Sequence, residues 1–193
     1  LTRLCRPFRS MGDGPVDATV LVVDDEPMVA DTFSMQLGQR YDVRTAHGGK
    51  EALELVDADV DVVFLDRRMP EVDGDEVLRT IRDEGLDVQV VMVTAVDADF
   101  DVLSMPCDGY LEKPVDGAEL REAVEKQVAA RHYDERVSEY FSTTDKLAAL
   151  EAGKPARELE ANEEYRELRE RQSTLADELD TLFDAVDDDA LLL

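Results

Sequence analysis

Five polar residues of the chain follow short apolar runs, and together they could carry out phosphoryl chemistry. They are the adjacent carboxylates Asp24 and Asp25, the carboxylate Asp66, the hydroxyl of Thr94 and the amine of Lys113. Three carboxylates packed together repel one another, and Mg²⁺, which prefers few carboxylates together with water and phosphate oxygens, would relieve that repulsion. A carboxylate can then act as the nucleophile that forms an aspartyl-phosphate, while the metal, the amine and the hydroxyl neutralise the phosphoryl oxygens.

The apolar runs predict the scaffold that brings these residues together. Short runs rich in β-branched residues are typical of buried strands, and the stretches between them carry apolar residues at helical spacing. The predicted strands cover residues 18–23, 41–45, 60–65, 88–93 and 109–111, and the predicted helices cover 28–40, 49–56, 73–83 and 117–131. This alternation predicts an α/β fold with a parallel, open, doubly wound sheet covered on both faces. Because ligands bind at the carboxyl ends of the strands in such sheets, we expect the polar residues to converge there.

Four short motifs in this region resemble those of the response-regulator receiver domains of two-component signalling. The motifs are VLVVDDEP at 20–27, LDRRMPEVDG at 65–74, VTA at 93–95 and YLEKP at 110–114. The resemblance covers residues 18–130 and implies the five-stranded, flavodoxin-like form of the doubly wound sheet. It also implies a signalling receiver and not an enzyme. Such a receiver accepts a phosphoryl group from a histidine kinase and hydrolyses it slowly.

The same resemblance implies the phosphoacceptor and its metal ligands. By it, Asp66 is the residue that is phosphorylated. Asp25 and Asp66 ligate Mg²⁺ directly, Asp24 does so mainly through water, and the main-chain carbonyl of Arg68 completes the protein ligands. Arg68 and Val96 occupy positions that tune the access of water to the phosphoryl group.

The resemblance further implies a switch built from Thr94 and Tyr110. Thr94 contacts the phosphoryl group and shifts toward it, and the ring of Tyr110 changes rotamer with that shift. Lys113 pairs with the phosphoryl group, and its bond to Pro114 is expected to be cis.

The stretch between Thr94 and Lys113 departs from the receiver pattern. It spans 19 positions, fewer than the resemblance leads us to expect, and it contains Pro106 and several acids. We therefore expect the helix between residues 97 and 108 to be short or irregular. Because many receiver domains dimerise through the face that contains this helix, we do not carry that dimer over to this chain.

Residues 132–193 predict an all-helical segment. Gly153-Lys154-Pro155 predicts a turn between two helices, and a heptad pattern follows within residues 156–186. Its members are Tyr165, Gln172, Leu179 and Val186 at one position and Leu168, Leu175 and Leu182 at the other. The pattern is consistent with a coiled coil that joins two copies of the chain. It is equally consistent with a hairpin inside one chain, packed through Val137, Phe141, Leu147 and Leu150. The segment is similar to the helical HalX-type module that follows receiver domains in haloarchaea.

The charge of the chain favours a halophilic origin and limits its partners. The net charge is −26 and the basic residues are 16 Arg but only 5 Lys. Acid-rich, Lys-poor surfaces are typical of extreme halophiles, where a Debye length of about 3 Å in molar salt screens self-repulsion. The charge argues against sequence-blind DNA binding and against anionic membrane surfaces, and no apolar run approaches the ~18 residues of a membrane span.

The ends of the chain and its cysteines complete the predicted organisation. Residues 1–16 predict an N-terminal extension without fixed structure, residues 17–131 the receiver domain and residues 132–193 the helical domain. The first ten residues contain three Arg and no acid. Two cysteines form no disulfide framework, which fits a reducing cytoplasm.

Three functions are consistent with these observations. The favoured one is a signalling regulator whose phosphorylation changes partner binding or assembly, including a homodimer, through the C-terminal helices. The alternative is a transcriptional regulator that binds DNA as a dimer through that segment, although the sequence shows no basic helix for a DNA groove. The third is a phosphatase of the haloacid-dehalogenase kind, which expects its nucleophile at the first strand, whereas Asp66 follows the third predicted strand.

Overall fold

The structure is a computed structural model that describes residues 18–95 and 105–190, with side chains described as far as residue 180. It divides into two compact units between Val128 and Ala129. The predicted N-terminal extension, Val96 and most of the stretch for which we expect a short or irregular helix lie outside the described residues. The side chains of Leu182 and Val186 also lie outside them.

The first unit contains a five-stranded sheet with the order β2-β1-β3-β4-β5, in which every pair of neighbours is parallel. The strands are β1 (Thr19–Val23), β2 (Asp42–Ala46), β3 (Val62–Asp66), β4 (Gln89–Thr94) and β5 (Gly109–Glu112). The helices between them are α1 (Pro27–Leu37), α2 (Gly49–Leu55) and α3 (Gly74–Asp83), and α4 (Gly117–Gly153) follows β5. The predicted α/β fold with a parallel, doubly wound sheet is therefore confirmed.

The sheet is buried on both faces because successive side chains of a strand point to opposite sides. One apolar core holds Leu21, Val63 and Met92 together with apolar residues of α2 and α3. The other holds Val22 and Phe64 together with apolar residues of α1 and the beginning of α4. Burial on both faces explains why the central strands read as continuous apolar runs, and it leaves their polar residues at the strand ends.

Helix α4 extends much further than the sequence pattern predicts. The prediction that it ends at residue 131 is wrong, because α4 continues to Gly153. Residues 118–152 contain no glycine or proline that would end a helix, so the division between the two units falls within α4. Long as it is, α4 is not apolar enough to cross a membrane, and neither is any other helix in the described ranges.

The predicted turn at Gly153-Lys154-Pro155 is present, but the helix after it is interrupted. The short helix α5 (Ala156–Ala161) begins after Pro155, and a new helix, α6 (Glu163–Ala190), follows Asn162. The side-chain oxygen of Asn162 accepts a hydrogen bond of 2.8 Å from the main-chain N–H of Tyr165. Asn162 therefore caps α6, and the second of the two predicted helices is divided at this residue.

Helices α4 and α6 pack as a hairpin within the chain. Buried Leu147, Leu159 and Tyr165 form a small core with half-buried residues around it. Polar contacts continue the packing: the side-chain amide of Gln172 donates to the hydroxyl of Thr144 at 2.9 Å. Tyr165, Leu168 and Gln172 of the heptad pattern therefore face α4 of the same chain, as the hairpin alternative predicts.

Phe141 does not take part in the hairpin core, contrary to the prediction. It is 62% exposed. Phe141 lies six positions before the buried Leu147, which places it about 120° around the helix from that residue. An aromatic side chain therefore remains on the surface of α4.

Candidate functional site

Two predicted carboxylates and the predicted lysine meet at the carboxyl edge of the sheet. Asp24 directly follows β1 and Asp66 ends β3, and both are buried, with 2% and 7% of their surface exposed. The Nζ of Lys113 donates one hydrogen bond of 2.6 Å to Oδ2 of Asp24 and another of 2.6 Å to Oδ1 of Asp66. The ammonium therefore bridges the two carboxylates.

Main-chain hydrogen bonds hold both carboxylates in place. The N–H of Asp24 donates to the carbonyl of Ala46 at 3.1 Å, and Oδ1 of Asp24 accepts from the N–H of Glu26 at 2.9 Å. Oδ2 of Asp66 accepts from the N–H of Arg68 at 2.7 Å. Each carboxylate thus has one oxygen bound to the main chain and the other bound to Lys113.

Lys113 reaches this edge because β5 pairs with β4. The register places Thr94 opposite Glu112, and the N–H of Lys113 donates to the carbonyl of Thr94 at 2.8 Å. The bond between Lys113 and Pro114 is cis, as the resemblance to receiver domains implies. The position of the ammonium therefore depends on the register of the last strand.

Burial and pairing change the pKa values of this cluster. Burial raises the pKa of Asp66, and the hydrogen bond and charge of Lys113 oppose that rise without cancelling it. Burial alone would lower the pKa of Lys113, but its hydrogen bonds to Asp24 and Asp66 outweigh burial and raise the pKa. The lysine consequently stays protonated and supplies positive charge to two buried acids.

The two residues of the implied switch lie on adjacent strands. Thr94 ends β4 and is 1% exposed. Tyr110 is half-buried on β5, where it lies opposite Met92 in the register and packs against the apolar core that α2 and α3 share. Thr94 is thus at the carboxyl edge of the sheet with the site, whereas Tyr110 is the second residue of β5 and lies further from that edge.

Of the remaining implied ligands, Asp25 is half-buried and Arg68 is exposed. Carboxylate and carbonyl oxygens are the ligands that Mg²⁺ prefers, so Asp24, Asp25, Asp66 and the Arg68 carbonyl fit the ion in their chemistry. In the part of the chain that the structure describes, no group of three or more His, Cys, Asp or Glu side chains is arranged to hold a metal ion. In this arrangement Lys113 supplies the positive charge for the two buried carboxylates.

Salt bridges that the sequence analysis missed hold the loop after Asp66. Arg67 pairs with Asp75 at 3.1 Å, which joins the loop to α3, and Lys50 of α2 pairs with Glu71 at 2.5 Å. Opposite charge is their only signal in the sequence, and a chain with 47 acidic residues offers too many such pairs to choose from.

Gly74 closes this loop against Asp66. A Cβ atom at Gly74 would lie 2.3 Å from the main-chain oxygen of Asp66, so a side chain does not fit there without a shift of the main chain. The N–H of Gly74 donates to the carbonyl of Arg67 at 2.9 Å. The close approach lets α3 begin directly beside the buried carboxylate.

Models of known protein families match both parts of the chain. The model of the response regulator receiver domain matches residues 20–125, and that of the HalX domain matches residues 129–192. The first match covers more than half of the chain and includes the strands that carry Asp24, Asp66 and Lys113.

Two curated relatives illustrate these matches. A protein described as a "Putative transcriptional regulator" from Haloferax volcanii is 47% identical over 156 residues, which is 80% of this chain and 27% of that protein. The response regulator SaeR from Staphylococcus epidermidis is 35% identical over 105 residues, which is 52% of this chain and 46% of SaeR. The chain therefore spans about a quarter of the first relative and less than half of the second.

A solved structure with the same fold is that of a CheY-like response regulator receiver domain protein from Methanospirillum hungatei. Its TM-score is 0.57 at 22% identity, over 62% of this chain and 99% of that one. At this identity the likeness concerns the fold alone, and it agrees with the sheet order described above.

Proposed function

Since the chain belongs to the response regulator receiver domain family, we propose that it is a two-component response regulator whose Asp66 accepts a phosphoryl group from a histidine kinase. The observation that supports this most directly is the buried pair of carboxylates bridged by Lys113 at 2.6 Å on each side. A lysine between a nucleophilic carboxylate and a second acid is positioned to take over the charge of a phosphoryl group. Membership of this family also argues against the hypothesis that the chain is a phosphatase of the haloacid-dehalogenase kind.

In the proposed step, a phosphorus–nitrogen bond is exchanged for a phosphorus–oxygen bond. One oxygen of Asp66 attacks the phosphorus while the bond from phosphorus to the imidazole of the kinase breaks. The imidazole nitrogen keeps the electron pair and takes up a proton. The Lys113 ammonium then pairs with the phosphoryl oxygens instead of the Asp66 carboxylate, because the negative charge now lies on those oxygens. Mg²⁺ held by Asp25, Asp66, the Arg68 carbonyl and, through water, Asp24 would neutralise the phosphoryl oxygens that Lys113 does not reach.

Thr94 and Tyr110 carry the signal away from the site in this proposal. Phosphorylation adds about −1.5 to −2 charges, which is small beside the net charge of −26, so the effect must be local. The hydroxyl of Thr94 donates to a phosphoryl oxygen and shifts toward it, and Tyr110 changes rotamer as that space changes. Slow hydrolysis, with the entry of water tuned by Arg68 and Val96, resets the switch.

The output that we propose is a change in partner binding or self-association through the C-terminal helical unit. The second candidate is a transcriptional regulator that binds DNA as a dimer, and the Haloferax relative's description as a "Putative transcriptional regulator" favours the regulatory role. The acidic charge of the chain opposes that candidate, although molar salt weakens this objection. We place the protein in the cytoplasm of a halophilic cell, where a histidine kinase can reach it.

Intact mass measured in molar KCl with acetyl phosphate and Mg²⁺ tests the receiver chemistry, with Asp66→Asn as the control. We expect one phosphoryl group on the wild-type chain and none on the variant. Light scattering on the same samples tests the output, since a change in mass only after phosphorylation supports regulated assembly. No phosphorylation of the wild-type chain would reject the proposal.

A genomic fragment library tests the DNA-binding candidate. Phosphorylated protein is mixed with the fragments in the same molar KCl, and the mobility of each fragment is compared with and without protein. A retarded fragment that the unphosphorylated chain does not retard would favour the second candidate. Unchanged mobility across the library would remove it.

A further inference from the structure

A side-chain cluster outside the phosphorylation site fixes the beginning of β5. The guanidinium of Arg82, at the end of α3, donates three hydrogen bonds: to the carbonyl of Pro106 at 2.9 Å, to the carbonyl of Val88 at 2.8 Å and to Oδ2 of Asp108 at 2.5 Å. The side chains of Arg82 and Asp108 are 25% and 31% exposed. One arginine therefore links α3, the residue before β4 and the three residues that precede β5.

Asp108 continues this link into the sheet. Its N–H donates to the carbonyl of Val90 at 2.8 Å, and its Oδ2 accepts from the N–H of Val90 at 2.6 Å. The carboxylate thus takes the role of a main-chain acceptor for the N–H of Val90, while the main-chain N–H of Asp108 pairs the carbonyl of Val90, one residue before β5 begins. The side-chain amide of Gln127 donates to the carbonyl of Asp108 at 3.1 Å.

The pairing of β5 with β4 begins at Gly109, which packs closely against Gln127 and Val91. A Cβ atom at Gly109 would lie 2.8 Å from the amide nitrogen of Gln127 and 3.2 Å from a methyl carbon of Val91. Gly109 is the partner of Val91, and each later residue of β5 is paired in sequence up to Glu112 opposite Thr94. A slip of one residue would turn every side chain of β5 to the other face of the sheet.

We propose that Arg82 and Asp108 form a positioning clamp that sets the register of β5 and thereby holds Lys113 at the carboxylates of Asp24 and Asp66. Asp108 lies five residues before Lys113, and neither Asp108 nor Arg82 contacts the reacting groups, so both residues act through the strand. Holding the ammonium in place matters because displacement of a catalytic group by about 1 Å can cost 10²-fold in rate. The effect of the clamp on the reaction rate rests on the proposed phosphorylation of Asp66. Its effect on the register of β5 does not.

Amide hydrogen exchange of the full chain tests the structural half without any phosphorylation. In Asp108→Ala we expect the N–H of Lys113 to exchange about tenfold faster or more, because its bond to Thr94 opens locally, while the amides of β1 and β3 keep their wild-type rates. The matched control is Asp57→Ala. Asp57 pairs with Arg44 at 2.9 Å at the other edge of the sheet, and Arg44 also donates to a main-chain carbonyl. That variant should leave the exchange of Lys113 unchanged. Unchanged exchange in Asp108→Ala would overturn the clamp.

A double-mutant cycle tests whether Asp108 acts through Lys113. The phosphorylation rate with acetyl phosphate is followed by intact mass for wild type, Asp108→Ala, Lys113→Ala and the double variant. We expect Asp108→Ala to slow the reaction about tenfold or more in the presence of Lys113 and to leave it within about twofold when Lys113 is already absent. An equal loss in both backgrounds would contradict a positioning role.

A conservative variant guards against a failure to fold. If Asp108→Ala does not fold, Arg82→Lys replaces it in both experiments, since a lysine keeps the charge but lacks the fork that reaches three acceptors. If the wild-type chain takes up no phosphoryl group, the proposed function fails, while hydrogen exchange still decides whether the clamp exists.

Discussion

Removal of the Lys113 ammonium should destabilise the first unit strongly in the absence of Mg²⁺. In Lys113→Met, Asp24 and Asp66 lose the charge that both contact at 2.6 Å, and their side chains are only 3% and 10% exposed. Removing one partner of a buried ion pair costs about 3–5 kcal/mol because the other charge is left uncompensated. Molar salt does little to replace the ammonium, since buried pairs are screened much less than exposed ones.

The pH dependence of this cost follows from the raised pKa of Asp66. Burial raises that pKa in the folded chain while Lys113 opposes the rise, so the substitution should raise it further. A carboxyl whose folded pKa lies above its unfolded value of about 3.9 binds its proton more tightly when folded. The difference in unfolding free energy between wild type and Lys113→Met should therefore be largest at neutral pH. It should shrink as the pH falls through the folded pKa of Asp66.

Urea unfolding in molar KCl with a chelator, between pH 7 and pH 4, measures this difference. The matched control is Lys50→Met, because Lys50 and its partner Glu71 are 71% and 67% exposed and such surface pairs contribute little to stability. A cost below about 1 kcal/mol for Lys113→Met, or a cost that grows as the pH falls, would refute the reasoning.

Three further substitutions test the described contacts. Gly74→Ala places a Cβ atom 2.3 Å from the main-chain oxygen of Asp66. Urea unfolding should therefore show that the free energy of unfolding falls by about 1–3 kcal/mol, and intact mass should show slower phosphorylation. An unaltered Tm and an unaltered phosphorylation rate would show that the loop moves freely to make room for the Cβ atom. Leu147→Ala removes a side chain that is 4% exposed and should lower the unfolding free energy of the C-terminal unit by about 2–5 kcal/mol, whereas a loss under about 1 kcal/mol would mean that the hairpin core is not formed. Arg171→Ala should change how the unfolding free energy of the same unit depends on pH, because hydrogen bonds from Arg171 hold the pKa of Glu139 below its usual value. A depressed carboxyl pKa gives stability that is present above the unfolded pKa and is lost as the pH falls through the folded one. Both side chains are more than a third exposed, so the effect should stay below about 1 kcal/mol at pH 7 and vanish in acid, and an equal effect at both pH values would contradict it.

The sheet and the meeting of Asp24 and Asp66 could be predicted because both depend on strands that are buried on two faces. Such strands read as apolar runs of strand length, and a polar residue directly after one can only lie at the sheet edge. The predicted fold is confirmed on this basis. The roles of the site residues as phosphoacceptor, ligands and switch remain predictions.

The long helix α4 and the interruption at Asn162 could not be predicted as readily. A boundary between two units needs no glycine or proline when the helix simply continues, and α4 has none between 118 and 152. Conversely, a single asparagine ends the short helix α5 and caps α6 without disturbing the heptad after it. Helical spacing reports which residues share a face, but tertiary contacts decide which face is covered, and this is why Phe141 is exposed.

The clamp at Arg82 and Asp108 escaped the sequence analysis for a related reason. Arg82 donates to two main-chain carbonyls and Asp108 accepts from the main-chain N–H of Val90, and such main-chain groups carry no signature in the sequence. The two charged residues are also 26 positions apart. Only the pairing of β4 with β5 brings them together.

Locating the phosphoryl group tests the central claim most directly. The chain is incubated in molar KCl with acetyl phosphate and Mg²⁺, cleaved into peptides in acid and analysed by mass spectrometry. We expect the added phosphoryl group on the peptide that contains Asp66, and none on any peptide of Asp66→Asn. A phosphoryl group on another residue of the wild-type chain, or on none, would contradict the account.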